Sequence, residues 1–372
     1  MILAVPREAA SNERRVALVP ETVARFVKSG VTIHVQRGAG ANAAFPDELY
    51  EKAGAKLIPD ISALAHDADV LLCVGRPGED LLALLRRGTV VVGFLNPLGD
   101  REYVQRLATR GLTAVSVEMI PRITRAQPMD ALSSQSNIAG YKAVLLAAAT
   151  LPRFFPMLTT AAGTIPPARA FVIGAGVAGL QAIATARRLG AVVSGYDARA
   201  VVKEQVESLG ATFVEFNVGD AEGTGGYAKE LTPEQLATQQ RAMAETIARN
   251  DVIITTAAVP GRRAPLIITE EAVKAMQPGS VIVDLAAETG GNCALTKRDQ
   301  VVVTENGVTI IGTTNLPATM PYDASRLYSR NLYALLSPFV KDGALSLDPN
   351  DEIVKGACVA RDGTVLLGGT AS

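Results

Sequence analysis

The strand pattern Ala168-Arg169-Ala170-Phe171-Val172-Ile173 runs without a break into Gly174-Ala175-Gly176-Val177-Ala178-Gly179. A helical pattern follows over 180–189. A second strand pattern, Ala191-Val192-Val193-Ser194-Gly195-Tyr196, then ends on Asp197. Few chain arrangements accommodate this order. Gly174 permits a tight turn, Gly176 lets a pyrophosphate approach the backbone, and Gly179 lets the helix pack close to the strand. The helix N-terminus offers free N–H groups and a positive dipole end to phosphates. An acid ending the second strand can bind both hydroxyls of an adenosine ribose and repels a 2′-phosphate, which favours NAD(H) over NADP(H). The competing reading is a glycine turn that only packs helix on sheet. The residues expected to touch a dinucleotide here are Gly174, Ala175, Gly176, Val177, Gly179, Asp197, Ala198 and Arg199.

At 372 residues the chain exceeds one typical core, so two domains are expected. With 48% apolar and 20% charged residues it reads as globular and soluble. A net charge of −1 and no basic stripe argue against nucleic acid or an acidic membrane surface as partner. Cys73, Cys293 and Cys358 are far apart and form no CxxC, which fits a reducing, cytoplasmic setting without disulfides or a thiolate metal site. No metal is expected. The N-terminus lacks the features of a signal peptide. No apolar run reaches bilayer-spanning length, and the longest, 143–151, reads as a buried helix. Work at a membrane would therefore go through a partner. The two histidines, His34 in an alternating strand and His66 near a helix end, read as structural. That matters because dehydrogenases acting on carbonyls usually need a general acid/base.

Strands over 2–5, 32–36, 70–74, 89–93 and 113–117 alternate with helices over 20–29, 46–53, 61–66, 78–86 and 100–110. Such alternation predicts a parallel sheet with helices on both faces. A second series has strands over 168–173, 191–196, 211–215, 252–256, 281–285 and 309–311. Between them, 135–151 reads as a helix capped by Ser133 or Ser134, and 152–167 as a loop. A long helix over 319–340 is expected to return the chain to the first domain, and Asp362-Gly363 predicts a closing hairpin. The expected fold is α/β: two Rossmann-like, doubly wound parallel-sheet domains separated by a cleft. Residues 1–133 with 320–372 would form one and 134–319 the other. The segment 217–232, with four glycines and Tyr227, reads either as a solvated insertion or as a lid over the cofactor.

The polar run Pro6-Arg7-Glu8-Ala9-Ala10-Ser11-Asn12-Glu13-Arg14-Arg15-Val16-Ala17 follows the first strand. It resembles the N-terminal signature shared by alanine dehydrogenases and the NAD-binding alpha subunit (domain I) of proton-translocating nicotinamide nucleotide transhydrogenase. The resemblance covers essentially the whole chain. It includes the glycine turn, Ala257-Ala258-Val259-Pro260-Gly261-Arg262-Arg263-Ala264-Pro265, and Val283-Asp284-Leu285-Ala286-Ala287-Glu288-Thr289-Gly290-Gly291. By that likeness Ala257, Val259 and Pro260 join the cofactor-binding set.

Three features favour the transhydrogenase branch. Residues 122–141 look like the Arg-Gln-Asp loop of domain I. The resemblance implies that Ser133 and Asp130 hold the carboxamide and ribose of NAD(H). Gln127 would sit where the second nicotinamide docks, and Arg122 would support the loop and pyrophosphate. A helix N-cap explains Ser133 alone. Next, alanine dehydrogenases carry a lysine and a histidine that bind and protonate the keto acid, and this chain has Gly75 and Asn96 there; their acidic Asp-Gln-Gly-Gly segment appears as Glu288-Thr289-Gly290-Gly291. Hydride transfer between two nicotinamides needs no proton donor, only proximity, orientation and exclusion of water. Finally, the segment carrying Tyr227 resembles the mobile loop of domain I, which raises the lid reading.

The resemblance implies a peripheral, homodimeric, NAD(H)-binding catalytic subunit. It would be cytoplasmic, associated with the inner (plasma) membrane through partner subunits, and would pass hydride to NADP+ on a partner subunit, with proton movement in a membrane-spanning partner. The end at Ser372 looks like the split form, with membrane segments on other chains. The helix from Tyr141 to Leu151 and the closing hairpin are interface candidates. A soluble amino-acid dehydrogenase of the alanine dehydrogenase type and a non-catalytic NAD-sensing module are the alternatives.

Overall fold

The computed structural model describes residues 1–216, 233–258 and 261–367, with the backbone alone at 233–236. The expected lid segment with Tyr227, and also Val259 and Pro260, lie outside the described residues. The chain divides into two compact units, Met1–Gln135 with Pro317–Ser372, and Ser136–Leu316.

In the first unit six parallel strands lie in the order Lys56–Ile58, Thr32–Gln36, Ile2–Val5, Val70–Leu72, Val90–Gly93, Thr113–Ser116. Cys358–Arg361 and Thr364–Val365 extend the sheet antiparallel. Their turn puts Asp362 and Gly363 at φ 49° and 80°, the left-handed pair that a two-residue hairpin needs. The helix Pro321–Leu336 buries Tyr328, Leu332, Leu335 and Leu336 in the same core as Val5, Val35, Val74 and Val92. The Tyr328 hydroxyl donates to the Cys73 carbonyl at 2.7 Å, fixing this helix to the end of the strand Val70–Leu72.

In the second unit the parallel order is Thr212–Phe213, Val192–Tyr196, Arg169–Ile173, Val252–Thr255, Val281–Asp284, Thr309–Ile311, with Val301–Val303 antiparallel at the edge. Neighbouring residues go to opposite faces. Val172, Ile254 and Val283 join one core layer; Phe171, Ile253 and Ile282 join another. A sheet buried on both faces has continuous apolar strands of this kind. The expected α/β, doubly wound architecture is therefore present in each unit.

Three details differ from the sequence expectation. The helix expected over 135–151 runs from Ala131 to Thr150, and its cap is Asp130 rather than Ser133 or Ser134: the Ser133 N–H donates to Asp130 Oδ1 at 2.8 Å. Its buried Ala143, Val144 and Ala147 belong to the second unit's own core, while Tyr141, Ala149 and Thr150 are exposed. Within the expected loop over 152–167, Leu158–Thr160 and Gly163–Ile165 form an antiparallel hairpin. Its positions are mostly exposed, so no apolar alternation marked it. Among the described residues no helix is long and apolar enough to cross a membrane.

Candidate functional site

In the second unit the strand order reverses between Arg169–Ile173 and Val252–Thr255, the switch point where ligands enter such sheets. Gly174 turns the chain there at φ 96°. Thr256 Oγ1 donates to the Gly174 carbonyl at 3.1 Å and fills the space a Gly174 side chain would need. A Cβ on Gly179 would collide with the Gly174 carbonyl, so helix and turn touch backbone to backbone. At Gly176 a Cβ would meet nothing within 4 Å. Gly176 is also the N-cap of the helix Val177–Arg188, and no side chain caps that end. The three glycines thus have different constraints. One bends, one packs, and one leaves open space before free amide donors, which fits a pyrophosphate.

Asp197 stands at the end of the neighbouring strand. Its Oδ2 accepts from the Ala175 N–H at 2.8 Å and Arg199 Nη2 at 3.1 Å; its Oδ1 accepts from the Arg199 N–H at 2.9 Å and Nε at 3.0 Å. Burial pushes the carboxyl up, but the Arg199 guanidinium and the two amides outweigh it and hold it below the usual carboxylate range. Ala198 and Val177 are exposed beside this acid and at the start of the helix.

Sequence reasoning gave no role to the buried hub behind the switch point. Asp284 is fully buried and accepts from the N–H groups of Ala286, Asn292 and Cys293 and from the hydroxyls of Thr255 and Thr296, at 2.7–3.1 Å. Asn292 accepts from the Ala257 N–H at 3.2 Å and donates to the Ala257 and Pro265 carbonyls at 2.8 and 2.9 Å. This clamp sets the course of the Ala257 segment, whose amide lies 3.4 Å from where a Gly174 Cβ would stand. Glu288 is exposed, 3.7 Å from Arg298.

In the first unit Asp130 and Ser133 meet directly, the Ser133 hydroxyl donating to Asp130 Oδ2 at 2.6 Å. Arg122 and Gln127 are exposed, and neither side chain makes a hydrogen bond or ion pair among the described residues. The loop is held from behind. Asn331 donates to the Pro128 carbonyl at 2.8 Å and accepts from Ser134 Oγ at 2.7 Å. Buried Arg15 pairs with Glu13 at 2.6 Å and donates to Gln135 Oε1 at 2.8 Å, and Gln135 donates to the Ala324 carbonyl at 3.1 Å.

At that unit's own switch point, Glu8 accepts from the N–H groups of Val74 and Gly75 at 2.6 and 3.2 Å. Burial raises its carboxyl to about 7 against the pull of these amides. Glu118 accepts from Leu95 and Asn96 N–H groups at 2.7 and 3.0 Å and from the Ser116 hydroxyl at 2.6 Å; burial pushes its carboxyl up as well. Gly75 and Asn96 are thus bound through their backbones to half-buried carboxyl groups. His34 is buried within a strand and His66 is exposed 3.5 Å from Asp67. The three cysteines are buried and free, and no group of metal-ligating side chains occurs among the described residues.

Two family models match. Alanine dehydrogenase/PNT, N-terminal domain, covers residues 4–139, and alanine dehydrogenase/PNT, C-terminal domain, covers 143–367. An NAD(P) transhydrogenase alpha-subunit chain of Rhodospirillum rubrum is 47% identical, over 98% of both chains. The crystal structure of transhydrogenase from Sinorhizobium meliloti superposes with a TM-score of 0.89 at 45% identity, covering 98% of this chain and 100% of that one. Alanine dehydrogenase of Bacillus subtilis is more distant, 30% identical over 86% of this chain and 81% of that one. By its glycine turn, its two doubly wound units and these relatives, the chain belongs to the alanine dehydrogenase/PNT family of oxidoreductases.

Proposed function

We propose that this chain is the NAD(H)-binding catalytic subunit of a proton-translocating nicotinamide nucleotide transhydrogenase. It is homodimeric and cytoplasmic, and it is held at the membrane through a partner that carries the proton path. The reading rests on one observation above the others. Where alanine dehydrogenases bring a lysine and a histidine to protonate an imine, Gly75 and Asn96 stand with their amides on Glu8 and Glu118. The reduced nicotinamide supplies a hydride, and its transfer to NADP+ on a partner subunit leaves no oxygen or nitrogen to protonate. The chain's task is then to bind, orient and exclude water.

In this reading Gly174, Ala175, Gly176, Val177 and Gly179 cradle the pyrophosphate and Asp197 takes the adenosine ribose. Ala198, Arg199, Ala257, Val259 and Pro260 line the cofactor. Asp130 and Ser133 orient the carboxamide and ribose, Arg122 supports the pyrophosphate side, and Tyr227 shields the site from water. Gln127 faces the second nicotinamide. Its exposed side chain has no hydrogen bond among the described residues to lose, so Gln127→Asn leaves folding and NADH affinity nearly unchanged. It slows hydride transfer on the order of tenfold or more through misorientation.

The assay is reduction of an NAD analogue by NADPH in membranes stripped of peripheral proteins, with and without the purified chain. Activity that requires the chain, and falls with Gln127→Asn, is the expected result. Glu8 favours a second reading, an NAD-dependent amino-acid dehydrogenase, because a carboxyl titrating near 7 suits a general acid. NADH oxidation by the chain alone with pyruvate and ammonium would select that reading and sink the first.

A further inference from the structure

The Asp197 carboxylate is already saturated. A carboxylate has about four acceptor positions. Here the Ala175 N–H, the Arg199 N–H, Arg199 Nε and Arg199 Nη2 occupy four, at 2.8–3.1 Å. The two backbone donors are fixed by the turn. The guanidinium is not: the Arg199 side chain is 60% exposed while that of Asp197 is 10% exposed. Two ribose hydroxyls can therefore reach this carboxylate only by displacing the Arg199 side chain. Once released, that side chain is a planar, permanently charged donor two residues from the ribose-binding acid, the kind of group that binds phosphate in two-point fashion.

We infer that Arg199 is a specificity-determining residue in two opposed ways. Tied to Asp197 it competes with the ribose of NAD(H), and freed from Asp197 it would serve as the anchor for the 2′-phosphate of NADP(H). The acid thus excludes the phosphorylated cofactor twice, by its own charge and by holding a nearby cation that could receive the phosphate. This inference rests on the NAD(H) reading of the site.

NADH and NADPH are titrated against the full chain by nucleotide fluorescence, for the wild type, Asp197→Ala, Arg199→Ala and the double variant. The wild type binds NADH well and NADPH poorly. Arg199→Ala tightens NADH a few-fold, because the competitor is gone, and weakens NADPH further. A purely structural role for Arg199 would weaken NADH instead. Asp197→Ala loses tenfold or more in NADH affinity and gains tenfold or more for NADPH, and the gain shrinks as salt is raised. The double variant loses that gain. Asp197 also supports the Ala175 amide, so Asp197→Asn, which keeps an acceptor there, decides the matter if Asp197→Ala does not fold. The inference is overturned if a folded Asp197 variant gains nothing for NADPH, or if the gain survives loss of Arg199. A wild type that binds no NADH at all would overturn the underlying site reading instead.

Discussion

The two units arrange their first six parallel strands in the same order and treat the donors beyond those strands differently. In the second unit the turn after the first strand is built from glycines, and the helix behind it begins with uncapped amides and open space at Gly176. In the first unit the corresponding turn supplies Glu8, which reaches across the switch point onto the Val74 and Gly75 amides, and Glu118 does the same for Leu95 and Asn96. Buried donors cost free energy unless they are bonded. The first unit satisfies these amides with Glu8 and Glu118; the second does so at Ala175 through Asp197 but leaves the start of the helix Val177–Arg188 without any side-chain cap. Shared topology therefore does not fix what stands at the switch point; the side chains there do.

The comparison is broken or sharpened most strongly at the glycines. Gly179→Ala drives a methyl into the Gly174 carbonyl and should destabilise the second unit by about 3 kcal/mol or more, read by urea unfolding. Gly176→Ala meets no protein atom. It should leave unfolding unchanged while weakening NADH at least tenfold by crowding the phosphates. Gly75→Ala in the first unit makes only an ordinary contact, 3.7 Å from Glu8 Oε2, and should change neither. Equal loss of NADH affinity for Gly75→Ala and Gly176→Ala would end the distinction between the units.

A smaller effect tests the carboxylate side. Glu8 is raised from 4.5 to about 7 by burial, with Glu13 adding to the rise and the Val74 and Gly75 amides and Arg15 opposing it. The folded chain thus keeps a proton that the unfolded chain has released. The stability from Glu8 is complete below its unfolded value near 4.5 and is lost as pH rises through about 7. Glu8→Gln removes this dependence. The wild-type minus variant difference in unfolding free energy should fall between pH 5 and 7.5, by at most about 3 kcal/mol. A difference that stays flat would mean Glu8 is ionised throughout.

What the sequence made legible was local or repetitive. Strand, glycine turn, helix, strand and acid follow one another within 169–197, each with its own residue types, and the structure keeps that order. The strands Lys56–Ile58 and Val301–Val303 lie at sheet edges with mostly unburied positions, so no apolar face marks them in the sequence. The Asp284–Asn292 hub escaped because its partners are mostly backbone amides, which have no sequence signature. The pairing of Arg199 with Asp197 escaped for a related reason. Both were read from the sequence as expected cofactor-site residues, yet nothing in a two-residue spacing tells whether they face a ligand or each other.

Asp130 lies between the two behaviours, and its effect is the smallest. It caps the helix Ala131–Thr150 through the Ser133 N–H and also accepts the Ser133 hydroxyl, which uses two of its acceptor positions and leaves the others available. As a cap alone, it should cost about 1 kcal/mol when changed to alanine, and Asp130→Ser, another good cap, should restore most of that. If Asp130 also orients a bound nicotinamide, Asp130→Ser recovers stability without recovering hydride transfer. Recovery of both would make Asp130 a cap and nothing more. The carboxylates of this chain could then be sorted by whether their acceptor positions are filled from within.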